Sequence, residues 1–287
     1  MSALGFDLNQ LTTLSFDDFP LFLEVCALSG LFRLLLTKLV IAKIAKLITF
    51  KSDFVRFKFT HRGYDLVHYT ISAITGLLAI HSRPYHHCYY YTFDCGVEFM
   101  QQAEPADKCV MSVFEKIYYM TFTAYYVIDL FFIWTNKSDK TILTLHHFTT
   151  LSLILISVYI RTHVIGVAVM LLHDVVDVPL YSGKIFTYLQ LQNPQDVALL
   201  LFAAMCTWFR MICYPGVIFH GIVNGFKQTP DHLTFYCIEG CILFVLMFCH
   251  IIWFIRIVKA AIGIFTKGKD AICDNRSDDA TTYIKHI

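Results

Sequence analysis

Ionisable side chains stand inside the otherwise apolar stretch from Leu145 to Tyr188. Each such residue costs roughly 2.5–3.5 kcal/mol at the centre of a membrane helix, which makes it a functional candidate by default. The candidate catalytic residues are His146, His147, His173, Asp174 and Asp177. On a helix, His173 and Asp177 share a face, with Asp174 beside them. Histidine next to a carboxylate suits nucleophilic or general-base chemistry, because the carboxylate fixes the tautomer and stabilises the imidazolium.

The composition places these residues in a membrane protein. Of 287 residues, 56% are apolar and 16% are charged, whereas soluble domains have about 25% charged residues. Long apolar runs predict an all-α integral membrane protein with about seven transmembrane helices. The runs are 20–39, 64–81, 112–134, 142–160, 164–181, 197–223 and 233–257. The first run, which charges interrupt, is alternatively an amphipathic interfacial helix, and this alternative leaves six spans.

The distribution of Lys and Arg predicts the orientation of the spans. With the N-terminus outside the cytosol, the inner connecting segments hold sixteen of these cations and the outer segments four, in agreement with the positive-inside rule. At about 1.5 Å per residue, His146 and Asp177 then lie roughly 6 Å below the cytosolic face. Asp129 and His68 lie at a similar depth. Because a three-residue turn joins the fourth and fifth spans, we expect His146 and Asp177 to face each other.

Other classes of site receive less support from the sequence. The net charge of +1 gives no reason to expect nucleic acid as a partner. The ten cysteines include no CxxC pair, which argues against a zinc ribbon or a redox motif. Cys88, Cys95 and Cys109 fall on the oxidising side, where a disulfide is plausible and three pairings stay open. His and Asp are competent metal ligands, but no further histidine boxes accompany the single HH pair inside a predicted span, so we expect no metal.

The candidate residues belong to a longer pattern without gaps. It reads HHxxT, then a serine and a glycine, then HDxxD and a lysine, and its members are His146, His147, Thr150, Ser157, Gly166, His173, Asp174, Asp177, Leu180, Lys184 and Tyr188. This pattern resembles the Lag1 motif of ceramide synthases, within the TRAM-LAG1-CLN8 (TLC) domain superfamily. Arg210, followed five residues later by Pro215, resembles the next helix of those enzymes. The resemblance extends from about Arg62 to Lys259.

The resemblance implies a TLC bundle or barrel of six helices at 62–262. A tail, a first membrane helix and a basic cytosolic linker precede it at 1–61, and a polar cytosolic tail follows at 263–287. The implied reaction is N-acylation of a sphingoid base by a fatty acyl-CoA. The implied location is the endoplasmic reticulum membrane, with the N-terminus luminal and the C-terminus cytosolic. Acyl-CoA is then a substrate and no cofactor is expected. Membrane lipids are further partners, and a homodimer or heterodimer is left open.

The expected substrate-binding residues are Asp129, Lys184, Tyr188, Arg210 and His68. Lys184 stands at the cytosolic end of its span, where a cation can bind the phosphates of CoA or anchor the helix at the membrane surface. Both interpretations stay open. Arg210 lies in the middle of a span and requires an acidic partner, which the sequence does not identify.

Two mechanisms stay open. In the covalent mechanism, His146 takes the acyl group as an acyl-imidazole while Asp177 orients the ring, and His173 or Asp174 then removes a proton from the sphingoid amine. In the direct mechanism, His146 acts as general base only. His147 points about 100° away from His146 on the helix, as an oxyanion donor or a structural partner. The alternative function is a non-enzymatic TLC-domain protein that binds or traffics lipids in the endoplasmic reticulum.

Overall fold

The computed structural model describes residues 11–81, 109–136, 140–160, 162–219 and 233–267. Helix dominates these segments, since a membrane-spanning backbone must satisfy its polar groups internally. The α-helices are α1 (Phe19–Leu35), α2 (Ala42–Lys46), α3 (Asp53–His81), α4 (Val113–Asn136), α5 (Lys140–Tyr159), α6 (His163–Tyr188), α7 (Gln192–Met205) and α8 (Leu233–Lys267). Two π-helical segments continue α1 and α7, at Leu36–Ile41 and Cys206–Cys213.

Within the described segments, 6 helical runs are long and apolar enough to cross a membrane. They are Phe16–Lys46, Val113–Trp134, Lys140–Tyr159, His163–Tyr188, Gln192–Phe219 and Thr234–Lys259. The chain is therefore an all-α integral membrane protein, as predicted. The predicted second span lies in α3, which has 29 residues but is not one of the 6, because polar and charged residues keep its hydropathy low. α3 begins at Asp53 rather than Tyr64, so much of the predicted basic linker is helical.

Helix α6 is the centre of the bundle. Inside the protein, 78% of its most apolar window is buried, against 50% or less in the other candidate spans. α3 and α7 pack against it most extensively. Small residues permit this close approach: a Cβ on Gly76 would lie 2.8 Å from Leu171 of α6, and a Cβ on Gly183 would lie 2.9 Å from Leu199 of α7.

A two-stranded antiparallel sheet joins Leu11–Leu14 to Cys109–Ser112, which the sequence did not predict. Lys116 of α4 reinforces this contact, because its ammonium donates to the carbonyl oxygen of Thr13 and to the carboxylate of Asp18, each at 2.7 Å. The described part of the predicted N-terminal tail is therefore fixed against α4. Cys88 and Cys95 lie outside the described residues, so the disulfide stays a prediction.

Candidate active site

Helices α5 and α6 form an antiparallel hairpin that brings the candidate histidines together. Near its turn, the backbone N–H of Thr162 donates to the carbonyl oxygen of Ser157 at 2.8 Å. Farther along, the ring centres of His146 and His173 are 5.8 Å apart, and those of His146 and His147 are 5.7 Å apart. All three side chains are buried. The two helices are therefore neighbours, as predicted, and their histidines form one cluster.

One nitrogen of the His146 ring has a hydrogen-bond partner and the other has none among the described residues. Its Nε2 lies 3.4 Å from the hydroxyl oxygen of Tyr126. Its Nδ1 is buried and has no hydrogen-bond partner among the described residues. The ring of Trp253 packs edge-on at 5.2 Å between centres. A buried ring nitrogen without a partner is unfavourable in the resting protein, and it is available to a reacting group.

Both ring nitrogens of His147 are bonded to oxygen. Nδ1 lies 2.9 Å from the carbonyl oxygen of Leu143, and Nε2 lies 3.2 Å from the carboxylate of Asp129. The other carboxylate oxygen of Asp129 accepts from Arg33 at 2.9 Å. These bonds leave His147 no N–H to offer an oxyanion, because each nitrogen carries at most one proton. Of the two predicted roles for His147, the geometry supports the structural partner.

His173 bonds to a histidine that the sequence motif does not contain. Its Nδ1 lies 2.6 Å from the carbonyl oxygen of Val169, and its Nε2 lies 2.7 Å from Nε2 of His250 in α8. His250 is 1% exposed, and its ring centre is 6.2 Å from that of His146. His250 was not predicted as a site residue because it is the only histidine of its span and belongs to no motif. The rule that flags ionisable residues inside membrane helices could have found it.

The two aspartates of HDxxD face different parts of the bundle. Asp174 accepts hydrogen bonds from Ser72 of α3 and Tyr118 of α4, at 2.6 and 2.7 Å on the same oxygen. Asp177 accepts from Arg210 at 2.7 Å. The Tyr118 and Ser72 hydroxyls thus stabilise the buried carboxylate of Asp174, and the Arg210 guanidinium stabilises the partly buried carboxylate of Asp177.

Asp177 differs from the prediction in its partner. The expected orientation of His146 by Asp177 is replaced by an ion pair with Arg210, whose Nη2 also donates to the carbonyl oxygen of His173 at 3.0 Å. Arg210 lies in the π-helical segment Cys206–Cys213, a conformation often found at functional sites. Asp177 and Arg210 therefore hold the helix backbone at His173, whereas the His146 ring lies within hydrogen-bond distance of the Tyr126 hydroxyl.

The remaining predicted substrate-binding residues lie beside the cluster. The ring of His68 stacks on Tyr125 with 3.5 Å between centres. The ammonium of Lys184 lies 5.2 Å from the ring centre of Tyr181, a distance within the range of a cation–π contact. Tyr188 is buried near the end of α6. The roles of these residues in substrate binding stay predictions.

A narrow apolar cavity begins at the histidine cluster. Tyr126 and His173 line one end, and Ser157, Gly166 and Glu239 line the other. From His146 to Ser157 along α5 the distance is about 16 Å at 1.5 Å per residue. The cavity volume is about 30 Å³, which is room for roughly two water molecules. An alkyl chain can therefore enter only if the lining side chains move.

The described segments contain no group of three or more His, Cys, Asp or Glu side chains arranged to hold a metal ion. The cluster instead combines histidine pairs with hydroxyl-bonded or arginine-bonded carboxylates. These groups can provide a nucleophile, a base and fixed dipoles for acyl transfer.

The fold and the site define a polytopic membrane protein with a buried histidine–carboxylate centre beside an apolar cavity. Residues 58–259 match the TLC domain, named after TRAM, LAG1 and CLN8. This match covers more than two thirds of the sequence, and the chain belongs to the TLC domain family. The motif, the cluster and the cavity all lie inside the matched region, whereas Arg33 lies outside it.

Curated relatives of this chain include several proteins named ceramide synthases. Ceramide synthase 1 of Homo sapiens is 28% identical over 154 residues, which cover 50% of this chain and 44% of the human protein. Ceramide synthase LOH1 of Arabidopsis thaliana is 26% identical over 276 residues, covering 86% and 87% of the two chains. Ceramide synthase 5 of Homo sapiens is 29% identical over 179 residues, covering 56% and 45%. The matches thus span less than half the length of each human relative.

Proposed function

We propose that this protein is a ceramide synthase, which transfers the acyl group of a fatty acyl-CoA to the amine of a sphingoid base in the endoplasmic reticulum membrane. The observation that carries the proposal is the open Nδ1 of His146, buried in a histidine cluster at the end of an apolar cavity. Proteins named ceramide synthases among the relatives support the choice of reaction. The predicted cytosolic side of the site suits a soluble CoA group above a buried acyl chain.

The covalent mechanism follows from the bonds of His146. When Nε2 carries the proton and donates it toward Tyr126, Nδ1 keeps its lone pair. In this mechanism Nδ1 attacks the thioester carbon, the carbon–sulfur bond breaks, and CoA leaves as the thiol with the proton lost from Nε2. The product is an acyl-imidazole on His146. One difficult transfer is thereby divided into two easier steps.

In the second step the sphingoid amine attacks the acyl carbon. The new bond joins the amine nitrogen to that carbon, and the bond from the carbon to Nδ1 of His146 breaks. A base takes one proton from the amine, and one proton finally returns to His146, which restores the neutral imidazole. In the direct alternative, the amine attacks the thioester itself and His146 accepts its proton. The two alternatives differ in whether CoA leaves before the amine binds.

Intact-mass analysis of the purified protein with acyl-CoA alone distinguishes them. We expect an increase of one acyl group in the wild type and none in His146→Ala. His81→Ala, the same substitution at an exposed histidine of α3, is the matched control and should be acylated like the wild type. An active enzyme that forms no adduct would contradict the covalent step.

Expression in cells that lack ceramide synthase tests the reaction itself. The wild type should restore N-acylated sphingoid bases, and His146→Ala and Asp177→Asn should not. Rescue by both variants would reject this site. If the wild type is present in the membrane at normal levels and restores no ceramide, the alternative of a non-enzymatic lipid-binding protein is favoured.

A further inference from the structure

His250 is a buried ionisable residue that the mechanism above does not use. It lies in α8, 77 residues from His173 in sequence, yet the Nε2 atoms of the two rings are 2.7 Å apart. Its side chain is 1% exposed. A bond this short between two ring nitrogens requires one of them to donate and the other to accept.

The neighbouring bond fixes the direction of this hydrogen bond. The carbonyl oxygen of Val169 can only accept, so Nδ1 of His173, 2.6 Å away, must carry a proton. A neutral His173 then has its lone pair on Nε2, and His250 must donate from its own Nε2. The proton-free nitrogen of His250 is consequently Nδ1. That atom is buried and makes no hydrogen bond to any residue that the structure describes.

The two rings stand beside the expected position of the acyl group. The ring centre of His146 is 5.8 Å from that of His173 and 6.2 Å from that of His250. Trp253 packs against both His146 and His250, at 5.2 and 6.3 Å between centres. An amine that attacks an acyl carbon on His146 is therefore within a few ångströms of both rings of the histidine pair.

Asp174 is the competing base, since its Oδ1 also lacks a partner in the described part of the chain. Its other oxygen is held by Ser72 and Tyr118, which belong to α3 and α4. The aromatic rings in contact with His146 are those of Tyr126, His147, His173, His250 and Trp253. Both rings of the histidine pair thus contact the ring of His146, and this contact is the reason for assigning the base to the pair.

We propose that His250 and His173 form a proton relay for the attack of the amine, an inference that rests on the proposed acyl transfer. His250 Nδ1 accepts the amine proton while His250 Nε2 passes its proton to His173 Nε2. One proton enters His250 and one leaves, so His250 ends neutral as the other tautomer and His173 becomes the imidazolium. When the bond from the acyl carbon to Nδ1 of His146 breaks, the relay runs in reverse. His173 Nε2 returns its proton to His250 Nε2, and His250 Nδ1 releases its proton to His146, which restores both histidines to their starting tautomers.

The relay predicts that loss of His250 affects the second step alone. His250→Asn removes the imidazole ring, so the side chain can no longer accept a proton at one nitrogen and release one from the other. In single turnovers of the purified full chain, CoA release without acceptor should keep its wild-type rate. Amide formation with sphinganine should fall by about 10²–10⁴-fold, the usual contribution of a general base. His81→Asn, at an exposed position, is the matched control and should leave both steps unchanged.

The basicity of the acceptor distinguishes a relay from a structural role. A long-chain alkoxyamine is much less basic than sphinganine, so its attacking form gives up a proton to water more readily. We expect His250→Asn to lose far less activity with the alkoxyamine than with sphinganine. An equal loss with both acceptors, or an equal loss in CoA release and amide formation, would overturn the relay.

A measurement on the wild type tests the relay even if every His250 variant unfolds. Two protons move together in the relay. A plot of the rate constant for amide formation from the acyl-enzyme against the mole fraction of D2O should therefore be curved. A straight line, which indicates one moving proton, would reject the relay. If the wild type makes no N-acyl product at all, the proposed function fails rather than the relay alone.

Discussion

The ion pair between Arg33 of α1 and Asp129 of α4 is sealed inside the protein. The two side chains are 4% and 2% exposed, and their charged atoms are 2.9 Å apart. The guanidinium also lies over the rings of Phe132 and Tyr64, at 3.9 and 4.7 Å from their centres. Asp129 in turn bonds to His147. A helix outside the matched TLC domain thus helps to hold the motif.

Replacing Arg33 by Met should destabilise the protein strongly. Removing one partner of a buried ion pair costs about 3–5 kcal/mol, because the remaining charge is left uncompensated. In a background of Asp129→Asn no such charge remains, and Arg33→Met should cost about 1 kcal/mol or less. The expected coupling between the two positions is therefore at least about 2 kcal/mol, within the range measured for residues in contact.

Unfolding of the four proteins of this cycle in one detergent measures the coupling. The matched control is Arg56→Met, because Arg56 forms an exposed ion pair with Asp53, with side chains 43% and 73% exposed. It should cost no more than about 0.5 kcal/mol. A cost below about 1 kcal/mol for Arg33→Met, or the same cost in both backgrounds, would refute this account of the pair.

Two further predictions concern the hairpin and the orientation. Gly166→Ala should greatly reduce the yield of folded protein, because a Cβ at this position overlaps the Tyr119 hydroxyl, which is hydrogen-bonded to Ser157. Adding Tyr119→Phe to the same chain removes that hydroxyl and should recover part of the yield. Size-exclusion chromatography measures the yield of folded protein. We also propose that the N-terminus is luminal, so the sequons at Asn136 and Asn275 should carry no glycan. Glycosidase treatment should therefore leave the electrophoretic mobility of the protein unchanged. A mobility shift that disappears in Asn136→Gln or Asn275→Gln would show that the orientation is the reverse.

The general fold could be predicted because its cause is local. Apolar runs near 20 residues predict membrane helices whatever their neighbours are, and the described part of the chain contains six such helices. The second predicted span shows the limit of this reasoning. α3 begins at Asp53 and continues through Arg62 and Asp65, which form an ion pair at 2.8 Å. A hydropathy average counts both charges against a membrane helix, but the helix tolerates them because they are paired within the protein.

The site was only partly predictable for a similar reason. His146 and His173 were found from their residue types, since ionisable groups in a membrane helix are costly without a use. Their partners could not be found this way. Asp177 was expected to orient His146, and instead it pairs with Arg210, while His173 bonds to His250. The rotation of each helix about its axis determines these choices, and sequence spacing within one helix does not specify it.

The sequence by itself thus determined the class of the protein, the motif and the candidate chemistry, because apolar length and residue type act locally. Only the tertiary structure decided which groups meet. Asp174 with Ser72, Asp129 with Arg33 and His173 with His250 are 102, 96 and 77 residues apart along the chain. Each pair forms because packing of separate helices brings two buried polar groups within hydrogen-bond distance, where an unpaired group would be costly.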